Sequence, residues 1–209
     1  MPYLRTRLEP RRFAVKDRPW TRRQFLWVAL AAPLPLALAQ PGPTLPATPA
    51  CGDEDDELTP PQTEGPYFKP QSPERRSLLE PGLGGTRLLV QGYVLSTGCK
   101  PVARALLDFW QCDAQGQYDN QGFHLRGHQF SDASGRFVLE TVVPGLYPGR
   151  TRHIHVKVQA PGRPALTSQL YFPGEPANAS DRIFDRRLTM AVQKSNALWQ
   201  ARFDFVLQV

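Results

Sequence analysis

The stretch "GLYPGRTRHIHVKV" (145–158) concentrates residue types that do chemistry. His153 and His155 are one residue apart, Arg150 lies three before the first, and Tyr147 stands further upstream. Imidazole nitrogens bind several transition metals. A tyrosine phenolate is a hard, anionic oxygen ligand that suits ferric iron better than a softer divalent ion. In a strand, residues i and i+2 share a face. The two imidazoles are therefore presented side by side, while Ile154, Val156 and Val158 face the other way. Taken alone, an H-x-H pair more often marks a partly exposed strand with two polar side chains in water, and Tyr147 more often a packed loop aromatic. Zinc would want a third His, Cys or carboxylate nearby. His124 and His128 read as members of a polar loop and supply no obvious third ligand.

The elements that must position these residues read as β-structure. Period-two alternation begins near residue 86, and strands are expected at 88–95, 105–112, 131–143 (after a turn), 152–159, 167–172 and 202–209. Turn signals such as "TGCKPV" and the loop "DAQGQYDNQG" separate them. Short strands about ten residues apart predict an all-β, antiparallel β-sandwich with long loops and at most one or two short helices. One helix is expected near 185–195 ("DRRLTMAVQK"). The 22 prolines in 209 residues also favour loops and strand edges over long helices.

The N-terminus has a different character. Residues 1–39 carry eight of the 25 Lys/Arg and two of the 19 Asp/Glu, so the rest of the chain carries 17 of each and is neutral. The net charge of +6 therefore gives no argument for nucleic-acid binding. "TRRQFLWVALAAPLPLALAQ" has paired arginines, a short apolar run broken by Pro33 and Pro35, and a small-x-small site at 37–39. It reads as a signal peptide, not a stable membrane anchor. The T-R-R-x-F-L pattern resembles a twin-arginine signal, which makes that export machinery a partner and predicts a periplasmic or extracellular protein. Such machinery carries proteins already folded, often with a cofactor loaded. Residues 40–58, Pro-rich and then acidic, read as a solvated linker before a domain at 59–209. Of the three cysteines, Cys51 and Cys99 are the expected disulfide pair, leaving Cys112.

Four motifs, taken in order, make the chain recognisable: "TEGPYF" (63–68), "GYVLSTGCKPVARALLDFWQCDAQGQYDN" (92–120), "GLYPGRTRHIHVKV" (145–158) and "TSQLYF" (167–172). Over residues 58–175 the sequence resembles the intradiol ring-cleavage dioxygenases, nearest to the protocatechuate 3,4-dioxygenase-like branch. The resemblance implies one non-haem Fe(III) per chain, O2 and a catechol-type substrate, and a muconate-type diacid as product. It implies Tyr118, Tyr147, His153 and His155 as metal ligands. Tyr147 and His155 would be axial, with Tyr147 leaving as substrate binds; Tyr118 and His153 would be equatorial. Arg150 matches the family's active-site arginine and Gln169 its pocket glutamine. Thr63, Gly65, Pro66 and Tyr67 resemble the substrate-pocket wall.

This sequence departs from that pattern in places. The interval from Tyr147 to His153 is short, and Pro148-Gly149 stands where the protocatechuate enzymes carry a longer loop with a Trp, so a more open pocket is expected. The helical N-terminal domain expected of catechol 1,2-dioxygenases is replaced by a leader and linker. Arg126 and Arg152 are the candidates for reading a substrate carboxylate. Two other classes stay open at this stage: an exported, non-catalytic β-sandwich binding module, and a zinc hydrolase built on the H-x-H pair. A homo-oligomer is compatible with all three.

Overall fold

A computed structural model describes residues 57–209. The leader, the twin-arginine pattern, Cys51 and most of the linker lie outside the described residues. Among the described residues nine strands form two sheets: β1 (Arg87–Ser96), β2 (Leu106–Trp110), β3 (Arg126–Phe130), β4 (Arg136–Val142), β5 (His153–Gln159), β6 (Leu166–Tyr171), β7 (Ala191–Gln193), β8 (Leu198–Arg202) and β9 (Phe205–Leu207). One sheet has the order β4-β1-β8-β7, with β9 also pairing β1; the other has the order β3-β2-β5-β6.

The strands form where apolar residues alternate, because one face of each must be removed from water. Leu88, Val90 and Val94 of β1 and Phe137 and Leu139 of β4 are buried. So are Leu107 and Phe109 of β2, and Ile154, Val156 and Val158 of β5. Their side chains form one core cluster, in which the Phe109 and Phe137 rings lie 5.9 Å apart. The expected all-β sandwich is the fold observed. It is antiparallel throughout the β3-β2-β5-β6 sheet, while β1 pairs β8 and β9 in parallel.

Three local expectations are corrected. The helix expected at 185–195 is a single 3-10 turn, Arg186–Leu188, begun by Asp185, whose carboxylate accepts from the Arg187 amide. Leu188 and Met190 are both buried, a period of two, and the chain passes directly into β7 against β8. His128 is not in a loop. It lies on β3, a strand whose sequence RGHQF lacks apolar alternation and which is held by pairing with β2. His124 does lie in a loop, with Nδ1 2.6 Å from the Glu80 carboxylate. Cys99 is disulfide-bonded and Cys112 is a buried free thiol.

Candidate metal centre

β5 turns His153 and His155 away from the core, yet both are only 3% exposed. The loops before β5 and after β2 cover that outer face. A half-exposed strand with its polar residues in water is therefore not what the chain builds. The rings stand edge to face, 4.7 Å between centroids, with the two Nε2 atoms 3.1 Å apart. His153 Nδ1 lies 2.6 Å from the Thr151 carbonyl. A proton on Nδ1 donates there and leaves the Nε2 lone pair facing inward. His155 is held by its cross-strand partner Trp110, whose indole stacks on the imidazole at 4.9 Å and 7°. Burial pulls the His153 pKa down to about 4. Burial, then the neighbouring His153, lowers that of His155 well below the usual range. Both rings are neutral near pH 7, the form that ligates metal.

Two loops deliver the tyrosines, and they interlock. The loop 113–118 is closed by Asp113, whose carboxylate accepts from the amides of Gln115 and Gln117. The second loop packs directly on it: the Gly145 amide donates to the Asp113 carbonyl at 2.7 Å. Gly116, at φ +83°, leaves a gap in which a Cβ would lie 2.2 Å from the Leu146 carbonyl oxygen. Beyond Leu146 the chain makes a type II turn over Tyr147–Arg150, with Pro148 at its second position, Gly149 at φ +77° and the Arg150 amide donating to the Tyr147 carbonyl. The Tyr118 and Tyr147 rings meet at 5.9 Å, nearly perpendicular, and the Tyr118 ring is 6.4 Å from His155.

Tyr67 completes the constellation. Its ring stacks on Tyr118 at 4.2 Å and 10°, and its hydroxyl is 3.0 Å from that of Tyr147. Gly65, in the same segment, passes over His155: a Cβ there would meet Cε1 at 3.4 Å. Thr63 is tied in by its carbonyl, which accepts from Gln169 Nε2, and Pro66 is exposed beside Tyr67.

Arg150 is held on two sides. Its Nε donates to Asp181 at 2.9 Å and its Nη2 to Gln169 Oε1 at 2.6 Å. Among the described residues Nη1 has no hydrogen-bond partner. The Gln169 amide is engaged at both ends, toward Arg150 and Tyr171 through Oε1 and toward Thr63 through Nε2. It therefore positions the arginine and the 63–68 segment. Arg126 is 1% exposed and donates to the carbonyls of Tyr67 and Asp119, tying together the segments that carry Tyr67 and Tyr118. Arg152 pairs with Glu175 and donates to the Pro144 carbonyl. Neither of the two arginines considered for carboxylate reading is free.

Three supports were not visible as site residues in the sequence. Asp181 also accepts from the Thr151 amide. Tyr171 places its hydroxyl against Gln169 and the Ile183 carbonyl. Trp110 reads as a core aromatic; its role follows only from the β2–β5 register, which no local pattern specifies.

The donor set fits a hard, highly charged cation. The Tyr118 hydroxyl is buried and has no partner among the described residues, nor has His155 Nδ1. Burial, then the nearby Cys112, pushes the Tyr118 phenol up, so its phenolate needs a strong local positive charge. Among the described residues no three His, Cys, Asp or Glu side chains gather as a zinc hydrolase would require.

Fold and site thus define a two-sheet β-sandwich carrying two phenols and two neutral imidazoles over one outer face. The family model described as "Dioxygenase" (Dioxygenase_C) matches residues 63–209. The chain belongs to this family, the intradiol ring-cleavage dioxygenases. It is similar to the protocatechuate 3,4-dioxygenase beta chain of Burkholderia cepacia, 36% identical over an alignment that covers 48% of this chain and 50% of that one. It is also similar to the 6-chlorohydroxyquinol 1,2-dioxygenase of Cupriavidus pinatubonensis, 30% identical over 60% of this chain and 55% of that one. The chain thus spans about half the length of these curated relatives. Among solved structures, the dioxygenase domain of a dioxygenase–carbohydrate-binding protein fusion from the cellulolytic bacterium Streptomyces sp. SirexAA-E is 59% identical. The TM-score is 0.72, over 73% of this chain and 99% of that one.

Proposed function

We propose that this chain holds one non-haem ferric ion and uses O2 to cleave a catechol ring between its two hydroxyl-bearing carbons. Both oxygen atoms enter the product, a muconate-type diacid, so the reaction balances without a further reductant. The observation that carries this reading is the meeting of Tyr118, Tyr147, His153 and His155 on one covered sheet face, with an orphaned phenol oxygen among them. These four residues would hold the ion. When bound, ferric iron supplies Lewis acidity that draws electron density from a chelated catecholate.

The chain's own residues do the rest. Tyr147 Oη, as phenolate, takes a proton from an incoming catechol hydroxyl, and the Tyr67 hydroxyl lies 3.0 Å from that oxygen. Arg150, fixed by Asp181 and Gln169, stabilises negative charge that develops on the ring. Because Arg126 and Arg152 are committed elsewhere, we propose catechols without a ring carboxylate, not protocatechuate, as the substrates. The leader at 1–39 supports export through the twin-arginine machinery to the periplasm or beyond.

The test is a visible absorption spectrum of the purified mature chain, with metal analysis on the same sample. The expected result is a broad tyrosinate-to-iron charge-transfer band that shifts when catechol is added under nitrogen, and one O2 consumed per catechol in air. A colourless chain that contains no iron and gains no band when iron is supplied overturns the proposal.

A further inference from the structure

Lys157 continues the row of His153 and His155 along β5, one step further from the loops. Across the sheet it faces Asp108, as His155 faces Trp110. Asp108 is already engaged by the Ser72 hydroxyl at 2.7 Å. The Lys157 ammonium instead reaches over the sheet face. It lies 3.8 Å from the centroid of Phe68 and pairs with the Glu64 carboxylate. Those two residues bracket Gly65 and Tyr67. Gly65 passes over His155, and Tyr67 touches both Tyr118 and Tyr147. Phe68 also stands edge-on to Trp110 at 4.9 Å, and Trp110 stacks on His155. One cation therefore grips both ends of the segment that covers the centre. The side chains of Lys157 and Glu64 are 24% and 43% exposed, and ion pairs of that kind contribute little to overall stability. A cation over an aromatic face fixes direction as well as distance.

We infer that Lys157 is a positioning residue: it clamps the 64–68 segment and so sets where Tyr67 meets Tyr118 and Tyr147. The catalytic consequence rests on the function proposed above; the clamp itself does not. Lys157→Met keeps the aliphatic stem and removes the charge, whereas Lys157→Arg keeps a cation able to stack on Phe68.

The first readout uses the metal-free full chain. Chymotryptic cleavage after Tyr67 and Phe68 is expected to quicken about tenfold in Lys157→Met, with the thermal midpoint nearly unchanged, and to stay near wild type in Lys157→Arg. The second uses the iron-loaded chain. Lys157→Met is expected to shift the tyrosinate band and lower kcat/KM about fivefold at unchanged iron content. Glu64→Gln should act in the same direction, and the double variant should lose little more than either single one. Unchanged cleavage at 67–68 in Lys157→Met, or fully additive losses, would overturn the inference. If the wild-type chain shows neither band nor oxygen uptake, it is the proposed function that fails, and the cleavage rates still decide the clamp.

Discussion

Tyr118 and Tyr147 reach the centre from two interlocked loops, and they differ in what their oxygens touch. The Tyr118 hydroxyl is buried with no partner among the described residues. The Tyr147 hydroxyl has one, Tyr67, at 3.0 Å. Behind them the backbones differ as well. Tyr118 ends a loop closed by Asp113 and flanked by Asp119, whose carbonyl is held by Arg126. Tyr147 opens a type II turn whose tip, Pro148-Gly149, is exposed. One phenol is built in and, in the proposed centre, has only the cation to satisfy it. The other has a second place to bond and a turn on which to pivot. That difference matches a centre with one fixed anionic ligand and one that can give way to substrate.

The largest expected effect separates the two tyrosines outright. Tyr118→Phe should lose most of the iron, and with it the charge-transfer band, and lower oxygen uptake by about 10³-fold or more, because the fixed ligand is gone. The same change should raise the stability of the metal-free chain by about 1 kcal/mol, since an unsatisfied buried hydroxyl disappears. Tyr147→Phe should retain iron with an altered colour and lose about 10²-fold in kcat, the scale of a missing general base. Metal analysis, absorption and urea denaturation of both variants test this. Equal iron loss in the two would erase the distinction.

The imidazoles allow a test by pH. His153 has a folded pKa of about 4 against an ordinary value near 6.5, so between these values the unfolded chain binds more protons. Stability of the metal-free chain should therefore be full above pH 6.5 and fall as pH drops toward 4, by about 3 kcal/mol from this residue. His153→Ala should make that slope shallower, leaving the share that the likewise depressed His155 supplies, and should lose iron. Denaturation midpoints at a series of pH values read the slope directly. A slope unchanged by the substitution would assign it to other groups.

Smaller effects come from the glycines behind each tyrosine. Gly116→Ala drives a Cβ to 2.2 Å from the Leu146 carbonyl oxygen and disturbs both loops at once. It should cost about 2 kcal/mol and lower iron content. At Gly149 a Cβ meets nothing within 4 Å, but the φ of +77° is strained for any other residue. Gly149→Ala should cost about 1 kcal/mol and touch only what depends on Tyr147, leaving iron content unchanged. Thermal melts with iron analysis distinguish the two.

The difference between these loops also marks what the sequence made legible. Period-two alternation placed β1, β2, β4, β5 and β6, because burial of one sheet face is written in every second residue. The pairing of His153 with His155 follows from the same period, and "YPGR" announces a Pro–Gly turn. β3 carried no such signal, since RGHQF is held by its neighbour's hydrogen bonds and not by its own apolar face. The false helix at 185–195 arose because Leu188 and Val192, four apart, suit a helix as well as the period-two row Leu188, Met190, Val192, until β8 supplies a partner. Tyr118 could be picked out only by family resemblance, as nothing in "QGQYDN" alone points to a ligand. Trp110, Asp181 and Lys157 act through register and through loops that return from elsewhere in the chain. No single segment records such contacts.

The smallest effect is the most selective. Tyr67→Phe removes the hydroxyl 3.0 Å from that of Tyr147 but keeps the ring that stacks on Tyr118 at 4.2 Å. The hydrogen bond to Tyr147 is the main cause that raises the Tyr67 phenol above its usual range, so Tyr67 stays protonated and can donate to the Tyr147 oxygen. Loss of one such bond is worth about 1 kcal/mol, or roughly fivefold in a rate that depends on it. That loss should appear in the kinetics of catechol binding, where the proposal has Tyr147 change partners, and not in iron content, which it assigns to Tyr118 and the imidazoles. Stopped-flow spectra of the ferric chain mixed with catechol under nitrogen resolve the two. A changed iron content with unchanged binding kinetics would mean that Tyr67 serves the fixed tyrosine through its stack, and the contrast between the two phenols would have to be redrawn.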